Sequence, residues 1–455
     1  MTDTSAIAVP STRPRVSTRK LVHMSMLSFA FLLPFLTWVQ AAGCALLALL
    51  FNVVVLPRLE LDLRKRPGTE AGGDLWTGIV IYPLSVLALI LFYRRSLHVV
   101  AAVWAIMALG DGMASVVGET WRDPALPWNP GKTWTGFLGF FAAGTAGAYV
   151  LARWVNPALP WGKVLLVCAA TAAVGACVET VPIRLDDNAT VPLVCGAFMF
   201  CAFQMERSAL ASNLPYLDRR VVLAVAVNLV LGVLAWWLRI VTRSGAVSGF
   251  LLGVAVYMGY GYRSFLLMGA FLVLGSLATR VGYTRKAARG IAEKRGGARS
   301  WREALANSLA GAFFAILVIT THHEAAFLLA LMAAFAEAAG DTVSSEIGQW
   351  ISPRAYLITT FRPVPAGENG GISIGGTAAG LAASAAVVAL GFALGLSGKG
   401  SAMLALGAAF AGNFLDSFLG ATLERRGLVT NGIVNFTGTS FAGGVALAVA
   451  LSLGL

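Results

Sequence analysis

Charge is what this sequence has least of. Its 455 residues carry 34 Lys and Arg and 22 Asp and Glu, 12% in all, about half of the ~25% usual in soluble domains. So few charges cannot cover a water-facing surface. Cysteine is sparse too, and Cys44, Cys168, Cys177, Cys195 and Cys201 lie in apolar stretches without the close paired spacing of a zinc site or a disulfide framework. They read as small core residues, and a secreted disulfide scaffold is excluded. His322, His323 and Glu324 stand together without the further ligands a metal site needs, and read as a solvated turn. No basic run is interleaved with exposed aromatics, so the net charge of +12 is the excess that cytosolic loops of membrane proteins collect. No nucleic-acid partner is expected.

What the sequence has is apolar length, with 57% hydrophobic residues and 50 Gly. A stretch of about 20 apolar residues crosses a bilayer core as a helix. Roughly fifteen such windows begin near residues 21, 41, 75, 97, 133, 162, 190, 220, 244, 263, 304, 324, 374, 401 and 437. The expectation is an all-α polytopic protein of the cell or inner membrane, in two halves, with residues 21–39 a retained anchor rather than a cleaved signal peptide. With a cytosolic N-terminus, Arg58, Arg64, Lys65, Arg66, Arg122, Lys132, Arg184, Arg239, Arg243, a cluster from Arg280 to Arg302, Arg354, Arg362, Arg425 and Arg426 fall on the cytosolic side, as do Arg13, Arg15, Arg19 and Lys20. The apolar pattern is interrupted by Glu206, Arg207, Asn213, Pro215, Asp218, Arg219 and Arg220, which places a boundary between residues 1–212 and 213–455.

The halves echo each other. Asp111 is followed seven residues later by Gly118, then by Trp121, a Pro/Gly loop and a Gly-bearing helix. Asp341 is followed seven residues later by Gly348, then by Trp350, another such loop and another Gly-bearing helix. An ionised residue inside a membrane segment is costly and is aimed at a partner, a cavity or a substrate. Asp111, Glu179, Glu337, Asp341, Glu346 and Asp416 are such residues. Helical spacing puts Asp416, Gly420 and Glu424 on one face, and likewise Glu337, Asp341, Ser345 and Gly348. Each acidic stripe opens onto a loop rich in Gly, Asn and Pro, whose N–H groups suit phosphate oxygens while carboxylates suit the divalent metal that phosphates bring. Gly131-Lys132-Thr133 has the tail of a P-loop, but Leu126 stands where its first Gly is required. A Walker-type fold is rejected. The same chemical parts on a membrane scaffold suit phosphoryl transfer.

At this point the residues resemble known families. Arg19-Lys20-Leu21-Val22-His23, Asn52 with Leu56-Pro57, Gly78 with Tyr82-Pro83, Gly110-Asp111-Gly112-Met113-Ala114 with Gly118, Gly131-Lys132-Thr133 with Gly136, and Glu179-Thr180-Val181-Pro182 with Asp186-Asp187-Asn188 resemble the phytol kinase and dolichol kinase family. The likeness covers about residues 15 to 205. The second half is similar to the membrane family that includes phytyl-phosphate kinase. It carries Ser244-Gly245-Ala246, Lys286, Gly297, Arg299, Ala306-Asn307, Asp341-Thr342, Ser345-Glu346-Ile347-Gly348, Pro365, Gly367, Asn369, Gly370, Gly371, Asp416-Ser417, Asn431 and Asn435.

The resemblance implies two consecutive steps, with CTP or another nucleoside triphosphate and Mg2+. An isoprenoid alcohol such as phytol, farnesol or geranylgeraniol becomes its monophosphate, and the isoprenyl phosphate then becomes the diphosphate. It assigns Asp111 and Asp187 to metal or to the incoming hydroxyl, and Lys132, Gly131, Thr133 and Asn188 to the nucleotide, with His23 and Glu179 behind them. In the second half Asp341, Glu346 and Asp416 take the metal and catalytic roles, and Gly367, Asn369, Gly370 and Gly371 form the phosphate loop. Lys286, Arg299 and Asn307 are assigned to the substrate phosphate. Both sites are expected to face the cytoplasm, with membrane lipids around the prenyl tail. Two rival readings stand beside this one, a membrane cytidylyltransferase making a CDP-lipid and a transporter built on an internal repeat.

Overall fold

Lipid offers nothing to a backbone N–H or C=O, so each membrane segment has to satisfy its own, which a helix does. The computed structural model describes residues 18–58, 74–121 and 124–454, and each expected apolar window is helical. The chain is an all-α multi-pass membrane protein. Among the described residues eleven helices are long and apolar enough to cross a membrane, and Val22–Phe35 and Gly78–Phe92 are apolar but shorter. The other four of the roughly fifteen expected windows are these two short helices and Asp187–Gln204 and Arg243–Tyr260, which are diluted by polar and glycine residues. Arg13, Arg15, Arg64, Lys65, Arg66 and Arg122 lie outside the described residues. The chain forms two compact units, Met1–Phe203 and Gln204–Leu455.

Unit 1 begins with α1 (Thr18–Ser25), a 3-10 stretch (Met26–Phe35), α2 (Trp38–Leu50) and α3 (Asp74–Phe92). Its axis is α4 (Leu97–Ala105), which runs through a π-turn (Ile106–Gly110) into α5 (Asp111–Thr120). Val99 to Ala108 are buried all round, as a helix that is apolar on every face requires. A two-stranded antiparallel hairpin follows, β1 (Ala125–Leu126) and β2 (Asn129–Thr133), then α6 (Trp134–Val155), α7 (Trp161–Thr180) and α8 (Asp187–Gln204). α6 lies close against α5 because Gly136 has no side chain, and a Cβ there would meet the Ala114 carbonyl at 3.0 Å.

Unit 2 runs through α9 (Arg207–Trp237), α10 (Arg243–Tyr260), α11 (Tyr262–Arg280), the short α12 (Tyr283–Ala288) and α13 (Trp301–Thr320). Its axis is α14 (Glu324–Ile351), wrapped by α11, α13, α15 (Ile374–Ala393), α16 (Lys399–Leu419) and α17 (Asn431–Ser452). Between α14 and α15 sits a small antiparallel sheet in the order β4-β3-β5, from β3 (Arg354–Leu357), β4 (Pro363–Pro365) and β5 (Gly371–Ile372).

The sequence echo is a structural one. Thr133 caps α6 and Ser373 caps α15, each hydroxyl accepting from the N–H of a glycine, Gly136 or Gly376, at 3.1 Å. Gly118 lies against Thr133 and Gly136, and Gly348 lies against Ser373 and Gly376 in the same way. Small residues at such contacts let two helix backbones approach. The same joint, Asp helix to β-segment to capped Gly helix, is built once in each unit.

Candidate functional site

In unit 1 three elements deliver carboxylates to one place. Asp111 opens α5, Glu179 stands near the end of α7, and Asp187 opens α8. One oxygen from each lies within 4.8 Å of the others, and among the described residues no other group of three His, Cys, Asp or Glu does this. The β2 strand carries Lys132 into them, paired with Glu179 and 3.7 Å from Asp187. Burial alone pulls the Lys132 pKa down, but Glu179 first, then Asp187 and Asp111, pull it up further, so the ammonium is held above its ordinary range. Glu179 is buried while Asp111 and Asp187 are half-buried, so the trio is open on one side. The His23 ring reaches it from α1, with Nε2 3.8 Å from Asp111 and 3.4 Å from the Met107 carbonyl, and its edge meets Tyr82.

Other expected residues of this half are already engaged. The Thr133 hydroxyl caps α6 rather than facing an open site. The Gly131 N–H donates to the Asn129 side chain at 3.1 Å, and the amide of Asn188 donates to Asp186 at 2.8 Å. These bonds close the turns that carry Lys132 and Asp187.

In unit 2 the acids are spread wider. Glu337 and Asp416 both come up against Gly438, and Asp341 lies one helical turn after Glu337 on α14. Among the described residues, Glu337 is buried with neither oxygen hydrogen-bonded, and Asp416 Oδ2 and Asn435 Oδ1 are likewise buried acceptors without a donor. Buried polar atoms are hydrogen-bonded in the great majority of cases. Room for Glu337 comes from glycine, since a Cβ on Gly412 would come within 2.7 Å of its Cγ. Asp416 is followed by a π-turn (Gly420–Glu424). The loop with Gly367, Asn369, Gly370 and Gly371 packs on this turn, with Gly370 against Ala421 and Glu368 paired to Arg425 at 3.1 Å. Gly367 and Gly370 have φ of 89° and 74°, which glycine adopts without strain.

The cations of unit 2 divide. Lys286 is 1% exposed, paired with Glu346 and bonded to the carbonyl of Thr279 at 3.0 Å. The Ala278 carbonyl at 3.4 Å takes its third donor, so Lys286, expected at a substrate phosphate, has its donors engaged within the protein, and Glu346, expected at the metal, is neutralised by Lys286. Asn307 is also engaged, donating to the Glu303 carbonyl at 2.9 Å and accepting from Asn435 at 3.3 Å. Arg299 is different. Its guanidinium lies 4.8 Å from the Phe271 ring centroid and forms no ion pair among the described residues. Burial lowers its pKa and the acids Glu293, Glu346, Glu303 and Asp341 oppose that shift; an arginine stays charged in either case.

Glu337 is the residue whose role sequence reasoning missed. It was visible as an acid inside an apolar helix, but no neighbouring motif marked its depth or its lack of partners. Asn129 was missed as well, and its side chain donates to the Thr180 carbonyl at 3.1 Å, tying the hairpin to the end of α7 beside Glu179.

Known proteins share this sequence. The family described as Integral membrane protein DUF92 matches residues 226–452. An uncharacterized membrane protein of Synechocystis sp. is 36% identical over 214 residues, 46% of this chain and 83% of the relative. Protein VTE6, chloroplastic, of Arabidopsis thaliana is 38% identical over 233 residues, 49% of this chain and 70% of the relative. The chloroplastic farnesol kinase of Arabidopsis thaliana is 32% identical over 200 residues, 41% of this chain and 65% of the relative. No solved structure matches.

Proposed function

For a chain that belongs to the integral membrane protein family DUF92, we propose a phosphotransferase with one active site in each unit. Unit 1 phosphorylates an isoprenoid alcohol and unit 2 phosphorylates the resulting isoprenyl phosphate, with CTP or another nucleoside triphosphate as donor, at the cytoplasmic rim. The likeness to a farnesol kinase supports the class of alcohol. The observation that carries the reading is the clustering of Asp111, Glu179 and Asp187 within 4.8 Å around Lys132. Three carboxylates and one ammonium leave two negative charges in excess, on hard oxygen donors of the kind Mg2+ takes.

Asp111, Glu179 and Asp187 would hold the ion in unit 1; in unit 2, Asp341 and Asp416 would, with the undonated oxygens of Glu337 beside them. When bound, Mg2+ neutralises charge on the transferring phosphoryl group. The chain's own residues do the rest. Lys132 places a point charge for a phosphate oxygen, while Asp111 and Asp187, the two half-buried acids, stand where a hydroxyl proton can be taken. The alcohol oxygen bonds to the γ-phosphorus, the bond to the bridging oxygen breaks, and the nucleoside diphosphate leaves. A long isoprenol keeps its tail in lipid and its hydroxyl at the interface, the level of these helix ends. In unit 2 the acceptor is already anionic, and Arg299, unpaired and close enough to feel Asp341, is the cation for it.

The test is the full chain in detergent, given a panel of isoprenols with each nucleoside triphosphate and Mg2+. Label from the γ-phosphate should enter the lipid. Label entering from the α-phosphate identifies a cytidylyltransferase, and uptake into vesicles without nucleotide identifies a transporter; either overturns the reading.

A further inference from the structure

Unit 2 has a second polar site, at the ends of its helices remote from the acids. There the Gly261 turn between α10 and α11 meets α9, the end of α13 and the start of α14 around a cavity of about 470 Å³. That is within the ~300–1,000 Å³ range of small-molecule sites. Its walls include Tyr216, Arg220, Tyr257, Tyr260, Tyr262 and Arg263.

Arg220 is fixed before any ligand arrives. Its guanidinium carbon lies 5.8 Å from the Tyr216 centroid and 5.9 Å from that of Tyr260. One Nη donates to the carbonyls of Met258 and Gly259, both at 3.3 Å, carbonyls at the end of α10 that have no N–H of their own helix to accept from. Its other N–H donors have no protein acceptor among the described residues. Arg263 is half-buried, reaches only the Tyr262 hydroxyl at 3.5 Å and forms no ion pair among the described residues. Glu324 is the acid on the wall, and it too forms no ion pair with either arginine, so two cations meet one acid.

The occupant follows from these charges. A cationic ligand would need the ring faces of Tyr216 and Tyr260, and Arg220 already covers both. An anion meets a preset guanidinium fork, a second arginine and tyrosine hydroxyls that can donate. Tyrosine and arginine at this density also suit the head-group level of a bilayer. We propose that this cavity binds a phosphate-bearing anion, either the head group of an anionic lipid or a free phosphate compound. The proposal stands apart from the kinase reading, since none of these residues belongs to it.

The test uses the full chain in detergent, with thermal unfolding followed against dioctanoyl-phosphatidylglycerol, dioctanoyl-phosphatidylcholine and inorganic phosphate. Phosphatidylglycerol should raise Tm saturably and phosphatidylcholine should not; an equal response to inorganic phosphate assigns the site to free phosphates rather than lipid. Arg263→Gln should weaken the response about tenfold, the loss of one charge-assisted bond, and Arg220→Gln should abolish it. If Arg220→Gln does not fold, Arg263→Gln still decides, because its side chain supports nothing beyond the Tyr262 contact. No Tm response to either anion, an equal response to phosphatidylcholine, or an unchanged response in Arg263→Gln overturns the proposal.

Discussion

Replacing Arg299 with glutamine separates the two proposed steps. The side chain forms no ion pair among the described residues, so its removal leaves no buried acid stranded. What the fold loses is the contact with Phe271 at 4.8 Å, about 0.5–2 kcal/mol. The backbone of Arg299 keeps its own bonds, donating to the Ile240 carbonyl at 3.1 Å and accepting from Thr242 at 2.9 Å, and a side-chain change does not touch these. A hydrogen bond from a charged donor to phosphate is worth about 1.5–3 kcal/mol, or about 10- to 150-fold in kcat/KM. Arg299→Gln should therefore lower kcat/KM for an isoprenyl monophosphate by that factor and leave phosphorylation of the alcohol unchanged. Arg299→Lys should fall between, because it keeps the charge and loses the planar fork. The assay is product analysis with each substrate supplied separately. Equal losses on both substrates, or none on the monophosphate, would refute the assignment of Arg299 to the acceptor phosphate.

Asp111→Asn should make no monophosphate from an isoprenol, while Asp341→Asn should accumulate it, as read by chromatography of labelled lipid; equal diphosphate yield from both ends the assignment of one site to each unit. Lys286→Met leaves the buried Glu346 carboxylate without its cation, costing about 3–5 kcal/mol, and should show as a lowered Tm that Glu346→Gln in the same chain partly restores. Gly118→Val forces a Cβ to within 2.8 Å of the Thr133 hydroxyl, and Gly348→Val to within 3.1 Å of the Ser373 hydroxyl. The first should impair the alcohol step and the second the phosphate step, measured on separate substrates.

Much of this was legible in the sequence. Apolar length alone marks a membrane helix, and every expected window is helical; among the described residues eleven have the length and hydropathy to cross, while Val22–Phe35 and Gly78–Phe92 are short and Asp187–Gln204 and Arg243–Tyr260 mix polar and glycine residues into an apolar run. The spacing of Asp111 to Gly118 and Asp341 to Gly348 showed the repeated joint, since a carboxylate and a close-packing glycine seven residues apart share a helix face. The hairpin of unit 1 gave no signal, because β1 and β2 are two and five residues long and hold Pro130 instead of alternating apolar positions. Lys286 and Glu346 are 60 residues apart, and no periodicity links them, so their mutual neutralisation needed the fold to be seen. The π-turns are equally silent, as a change of helical pitch leaves no mark in residue type.

The two joints share a frame and differ in their cation, and that difference bears on the order of the proposed steps. In unit 1 Lys132 sits between Glu179 and Asp187, so its charge is largely answered by the protein, and the half-buried acids leave the open side negative. A neutral alcohol can approach such a place, whereas a second phosphate beside the donor would be repelled by it. In unit 2 Lys286 is locked to Glu346, and Arg299, which feels the charge of Asp341, is the cation proposed for the acceptor. An arginine that feels several acids but forms no ion pair among the described residues gains from an acceptor that brings its own negative charge. Under the proposed two-step reading, the joint whose cation is paired would take the uncharged acceptor and the joint whose arginine has no ion pair among the described residues would take the anionic one, in the order alcohol, monophosphate, diphosphate.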